Sequence, residues 1–239
     1  MPDFWKFTRM EAGEPARLDV EGEIWPETPW WLEDGQVAAP DAFRRELESL
    51  NGADLDVYVN SPGGDAAAGV AMATLLRQHR GKTRCIITSL AASAASLIPC
   101  GCDEVRMGPG ALLMIHNPST CAYGDHREME RAKAYLDKLK DAVLNLYAEK
   151  SGKDRDTIAR MMDEETFMTQ EDAIREGFAD GTLEKPVKET AAMHRGFRAI
   201  MSVNEQATGK TLDMAIRLKG REAEQKERSE MADWLKTLG

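Results

Sequence analysis

Two hydrophobic rhythms alternate along the chain, and each change of rhythm predicts an element. Val57-Tyr58-Val59-Asn60 has the apolar character of a buried strand, predicted over Asp56–Asn60, and it breaks at Ser61-Pro62-Gly63-Gly64-Asp65. A helix from about Ala67 to His79 follows. A second strand over 84–88 leads into Ala91-Ala92-Ser93-Ala94-Ala95-Ser96 and a helix reaching about Cys100. Glu104-Val105-Arg106-Met107 and Leu112 to Ile115 predict two short strands. Upstream, Arg17 to Trp25 predicts a strand and Pro26 to Trp31 a Pro- and Trp-rich insertion, either a contact with another subunit or partner or a local apolar plug. Asp41 caps a helix of about ten residues in which Phe43, Leu47 and Leu50 share a face. This alternation of strands and helices argues for an α/β fold with a mostly parallel sheet.

From Gly124 the rhythm becomes helical for a long stretch. Met129, Ala132, Leu136, Leu139, Val143, Leu146 and Tyr147 recur at three- and four-residue steps, predicting one amphipathic helix over about 127–151. Asp156 to Met162 predicts a short helix, Glu164 to Thr169 an extended segment, and Gln170 to Glu176 a helix stopped by Gly177. Residues 1–17 read as a loosely held arm, 18–185 as one domain, and 186–239 as a charged, helical or partly disordered tail beyond Pro186. In that tail Gly209-Lys210-Thr211 imitates the end of a phosphate-binding loop. The glycine such a loop needs five residues earlier is Asn204, and no buried strand precedes it, so nucleotide binding is rejected.

Three punctuations between Val57 and Pro118 carry chemistry only when taken together. A run such as AASAAS alone is more often close helix packing, a lone histidine is more often structural, and Gly-Gly after a strand is usually a turn. Their order places a serine on a strand-to-helix turn, a histidine at a later strand end and a glycine pair with free amides, which are the parts of acyl-transfer chemistry. A serine hydroxyl needs a base within hydrogen-bond reach, and the base needs a third group to hold its tautomer. Ser93 is the candidate nucleophile, with Ser96 behind it because its hydroxyl, one turn on, would more naturally bond a backbone carbonyl. His116 is the candidate base, while His79, His126 and His194 suit the surface. The Ala94 amide and that of Gly63 or Gly64 are the candidate oxyanion donors.

These phrases resemble a known family, the proteolytic subunit of the Clp protease, through Asn60-Ser61-Pro62-Gly63-Gly64, Ala91-Ala92-Ser93 and Met114-Ile115-His116-Asn117-Pro118. The resemblance covers roughly residues 18–183. It implies a ClpP/crotonase-like spiral of ββα units with a mostly parallel sheet, and a long handle helix that interdigitates between stacked rings. It further implies a homo-oligomeric ring acting on extended peptides, with no metal and no cofactor. The family's acidic residue falls on Glu165 by register with Thr166-Phe167-Met168-Thr169; Asp163 would share its face in an extended segment, and a Ser93–His116 dyad is the remaining alternative. Ala92 to Ile98 and Asp103 to Ala111 resemble more specifically the Clp-like head maturation proteases of tailed phages and prophages. That branch implies processing of capsid or scaffold segments without an ATPase. The alternatives are a housekeeping-type peptidase chamber fed by an AAA+ unfoldase, a structural subunit with a decayed site, and thioester chemistry on a similar fold.

Composition narrows the partners further. A net charge of -10 argues against nucleic acid, which needs a basic face. No apolar run approaches the roughly 18–20 residues of a membrane span, and the first residues lack a secretion-signal pattern, so a cytoplasmic location is expected. Cys85, Cys100, Cys102 and Cys121 lie in or beside apolar strands without a C-x-x-C pair, and read as reduced, packed thiols.

Overall fold

The computed structural model describes residues 4–9, 14–25 and 40–183. Within them eight strands join in one sheet, along the path β1 (Trp5–Thr8), β2 (Ala16–Ile24), β3 (Leu55–Gly64), β4 (Thr83–Ala92), β5 (Glu104–Met107) and β8 (Gly181–Thr182). The strand β6 (Leu112–Ile115) pairs with β4 and with β7 (Thr166–Met168). Only β1–β2 and β6–β7 pair antiparallel among the described strands, so the sheet is mostly parallel, as the alternation of elements predicts. The Pro26–Trp31 insertion, the tail from 186 onward and His194 lie outside the described residues.

The central strands are longer than their apolar runs predict. β3 does not stop at Asn60: Glu23 and Ile24 of β2 pair with Gly63 and Gly64, carrying the ladder through the glycines after a register shift. β4 extends to Ala92 because it changes partner halfway, its first half pairing with β5 and Leu90–Ala92 pairing with β6. The expected loose arm is partly ordered. Trp5–Thr8 adds to β2, and Trp5, Phe7 and Phe43 pack edge-on and tilted with ring centroids 5.3–5.6 Å apart. Aromatic pairs at such spacing contribute about 0.5–1.5 kcal/mol beyond their buried area.

The helices follow their capping chemistry. α1 spans Pro40–Ser49, and its Phe43, Leu47 and Leu50 face is buried as the spacing predicts. α2 (Ala66–Arg77) begins where Asp65 Oδ1 accepts the Ala68 amide at 2.7 Å. A 3₁₀ helix spans Ser93–Gly101 and packs against α2. The small residues permit the approach: a Cβ on Gly69 would lie 2.6 Å from the Ala94 carbonyl oxygen, so α2 touches the backbone of the serine turn directly. The packing reading of the small-residue run is therefore correct, and it places the serine turn as well.

α3 (His126–Ser151) is capped by Asp125 and ends at left-handed Gly152. Only its C-terminal half joins the core, through buried Val143, Leu144 and Tyr147. Met129 and Tyr135 in the other half are exposed. An Arg77–Glu149 ion pair ties α2 to α3. α4 (Arg155–Asp163), capped by Asp154, and α5 (Gln170–Arg175), with a Thr169–Asp172 capping box, complete the described helices. No described helix is long and apolar enough to cross a membrane.

Candidate active site at the ends of four strands

Strand register alone collects the candidate residues. Ser61 pairs with Ala91, which brings Gly63 beside Ser93. Ala92 pairs with Met114, so Ser93 and His116 follow neighbouring parallel strands within one residue of the same level. Ile115 pairs with Thr166 across the antiparallel β6–β7 ladder, which sets the Glu165 turn opposite His116.

Ser93 makes the turn from β4 into the 3₁₀ helix with φ 54°, directly after extended Ala92. A positive φ at a non-glycine residue costs on the order of 1–3 kcal/mol and persists only where the surroundings enforce it. It lifts the hydroxyl out of the strand line, as on a nucleophile turn. Gly63 supplies part of the enforcement. At φ 98° it approaches so closely that a Cβ there would lie 2.5 Å from Ala92 O, 2.7 Å from Ser93 Cβ and 2.8 Å from Ala94 N. No side chain fits between the glycine strand and the serine turn.

Ser93 Oγ lies 2.7 Å from His116 Nε2, a hydrogen bond. The imidazole is 23% exposed. Burial holds its pKa below the ordinary histidine value by disfavouring the cation, and the Glu165 carboxylate partly opposes that effect. At neutral pH the ring is therefore uncharged and can accept the serine proton.

Glu165 stands at an ion-pair distance on the other side, with Oε1 4.0 Å from Nδ1, too long for a direct hydrogen bond. The extended segment expected from Glu164 begins only at Thr166; Glu165 occupies a left-handed turn with φ 49°. Because the chain is not extended there, Asp163 does not share a face with Glu165. It ends α4 and its carboxylate accepts hydrogen bonds from Lys140 Nζ at 2.8 Å and Asn117 Nδ2 at 2.7 Å. Glu165, not Asp163, is thus the carboxylate beside the imidazole.

Ser96 is fully buried and spends its hydroxyl as its position in the helix predicts, donating to Ser93 O at 2.6 Å; its oxygen also meets Tyr147 Oη at 2.6 Å. Ser61 was not singled out by its sequence context. It is wholly buried, donates to Gly22 O at 2.5 Å and accepts the Gly63 amide at 3.1 Å, fixing the glycine turn. Its signal was its place between Asn60 and Pro62. His79 bonds Ala53 O at 2.7 Å and His126 opens α3, both away from Ser93. Cys85, Cys100 and Cys102 are buried; burial pushes the Cys100 thiol up to about 12 and holds the Cys85 thiol well above its ordinary value, so those two sulfurs stay protonated. Cys121 is exposed, contrary to the expectation that all four thiols are packed. A cavity of about 270 Å³ lined by Arg77, Cys100, Cys102, Asp103, Glu149 and Lys150 sits at the far end of the 3₁₀ helix and shares no residue with this cluster.

The family model described as Clp protease matches residues 46–186, more than half of the chain. The chain belongs to the Clp protease family. An ATP-dependent Clp protease proteolytic subunit from Ligilactobacillus salivarius (strain UCC118) is 31% identical over 137 residues, 56% of this chain and 70% of that protein. A ClpP1 variant from Listeria monocytogenes has a similar fold, with a TM-score of 0.60 at 20% identity over 71% of this chain and 91% of the other. The family match includes Gly63, Ser93, His116 and Glu165, and it starts within α1, leaving β1 and β2 outside.

The environment of His116 predicts a titration of known sign. Followed by NMR, its midpoint falls below 6.5, and Glu165→Gln lowers it further because the carboxylate is the group that favours the cation. A wild-type midpoint above the ordinary value, or a rise on Glu165→Gln, contradicts this electrostatic account.

Proposed function

We propose that this chain is a serine endopeptidase in which Ser93 is the nucleophile, His116 the general base and acid, and Glu165 the carboxylate that orients the imidazole. The observation that carries the reading is the 2.7 Å contact between Ser93 Oγ and His116 Nε2, made on a turn held at positive φ. His116 Nε2 takes the hydroxyl proton as Oγ attacks the peptide carbonyl, then gives it to the departing amine; water repeats the sequence to release the acyl group. The Ala94 amide and that of Gly63 or Gly64 are the proposed oxyanion donors. The Gly63 amide also bonds Ser61 Oγ at 3.1 Å, and Gly63 is the glycine that lies against Ser93 and Ala94, so either glycine is the proposed second donor. The substrate lies extended beside the segments after Gly64 and His116, adding main-chain hydrogen bonds as a strand does.

The pairing of serine and histidine favours peptide hydrolysis over thioester chemistry, which needs only backbone amides, and its intact geometry argues against a decayed structural subunit. For the physiological substrate we propose capsid or scaffold segments, on the strength of the Ala92–Ile98 and Asp103–Ala111 phrases. The similarity to an ATP-dependent Clp protease proteolytic subunit of Ligilactobacillus salivarius equally favours a chamber fed by an unfoldase. Neighbouring portal and capsid genes would support the first role, an unfoldase gene the second.

Fluorogenic-peptide hydrolysis tests the chemistry. Ser93→Ala loses activity by several orders of magnitude with the fold intact, whereas unchanged turnover refutes the assignment. Glu165→Gln lowers kcat by roughly 10- to 100-fold, less than at a buried triad acid because the carboxylate is 62% exposed and beyond hydrogen-bond length. Asp163→Asn lowers it by less than roughly tenfold. The reverse order of effects would move the orienting role to Asp163, and small losses at both would leave a dyad.

Assembly is the second expectation. The outer half of α3, with Met129 and Tyr135 exposed, is the proposed contact with neighbouring subunits in a ring that encloses the serines. Light scattering then gives a mass of many subunits, and charged replacements at both positions reduce it. A strict monomer at every concentration rules the ring out.

A further inference from the structure

The serine turn is connected to α3 by a buried pair of hydroxyls that the mechanism does not use. Ser96 Oγ has one proton, and it lies 2.6 Å from the Ser93 carbonyl oxygen, an atom that can only accept. At the 2.6 Å contact between Ser96 Oγ and Tyr147 Oη the tyrosine must therefore be the donor. Both side chains are buried, Ser96 completely. Burial raises the Tyr147 pKa well above its ordinary value, so the phenol stays protonated and remains a donor across the working pH range. Tyr147 is itself fixed on the α3 half that joins the core, with its ring edge-on to Phe178 at 5.9 Å.

We infer that Tyr147 and Ser96 are positioning residues that set the oxyanion-binding amide of the peptidase site. This rests on the function proposed above. The Ser93 carbonyl and the Ala94 N–H are opposite ends of one planar peptide unit. A hydrogen bond that fixes the direction of Ser93 O therefore fixes that of the Ala94 N–H, the proposed donor to the tetrahedral intermediate. A hydrogen bond accepted at the carbonyl also polarises the amide and strengthens its N–H as a donor. Because Ser93 sits at φ 54°, a strained conformation, its peptide plane can relax unless something holds it. The Tyr147–Ser96–Ser93 chain supplies that hold from α3, the helix whose outer half we place at subunit contacts.

The test separates transition-state from ground-state binding in the assembled protein. Tyr147→Phe and Ser96→Ala each remove one oxygen. Each should lower kcat by roughly 5- to 30-fold, below the 10²–10³ typical of deleting an oxyanion donor outright, while KM changes less than about twofold. A peptide aldehyde, whose serine adduct places an oxygen in the oxyanion site, should lose affinity by the same factor as kcat/KM, and a product peptide should bind as in the wild type. The double variant should be no worse than the weaker single one, because Tyr147 acts through Ser96. It also leaves neither hydroxyl orphaned in the core, so it is expected to fold even where a single variant does not. Wild-type turnover and aldehyde affinity in the double variant overturn the inference, as do losses of kcat without loss of aldehyde affinity. An inactive wild-type protein that also fails to bind the aldehyde overturns the peptidase reading beneath it instead.

Discussion

The contact between Ser93 Oγ and His116 Nε2 depends on two parallel strands ending at nearly the same level. β4 outlasts β5 by switching to β6, and that switch gives β6 a partner whose end is the serine turn. A one-residue slip in the β4–β6 register would point the histidine to the other face of the sheet, since side chains alternate along a strand. The pairings Ser61–Ala91 and Ile115–Thr166 carry the same register outward to Gly63 and Glu165. The chemistry therefore depends on backbone pairing more than on the local sequence around any one side chain.

The strained turn persists because several weak effects act on the same few atoms. Its cost of about 1–3 kcal/mol is opposed by the Ser96 hydrogen bond to Ser93 O, the close approach of Gly63 and the seat of α2 against Ala94. A single intramolecular hydrogen bond adds only about 1 kcal/mol net, yet leaving a buried polar group unpaired costs about 1–3. That asymmetry explains why the buried hydroxyls of Ser61, Ser96 and Tyr147 all have partners. Electrostatics at His116 follow the same logic: burial keeps the ring neutral, and an exposed, distant Glu165 opposes it only in part.

Much of this was legible in the residues. The strand–glycine, strand–serine and strand–histidine punctuations are local signals, and they identified the Ser93–His116 pair and the mostly parallel sheet. Strand lengths were not legible, because β3 and β4 extend by pairing with partners distant in sequence, and polar or small residues are tolerated where the ladder continues. The roles of Glu165 and Asp163 turned on whether three residues were extended or turned, which the acidic run Asp163-Glu164-Glu165 does not encode by itself. Trp5 and Phe7 join the sheet through β2, a contact no local pattern near residue 5 announces. Tyr147 looked like one more apolar position of a helical stripe; its hydroxyl acquires meaning only once the fold brings it to Ser96.

Mapping the site of covalent attack tests the central claim most directly. A peptidyl fluorophosphonate followed by digestion and mass spectrometry should give one adduct per chain, on Ser93, and His116→Ala should suppress it while leaving the strand register intact. An adduct on Ser96 or another serine, or undiminished labelling of Ser93 without His116, would contradict the account.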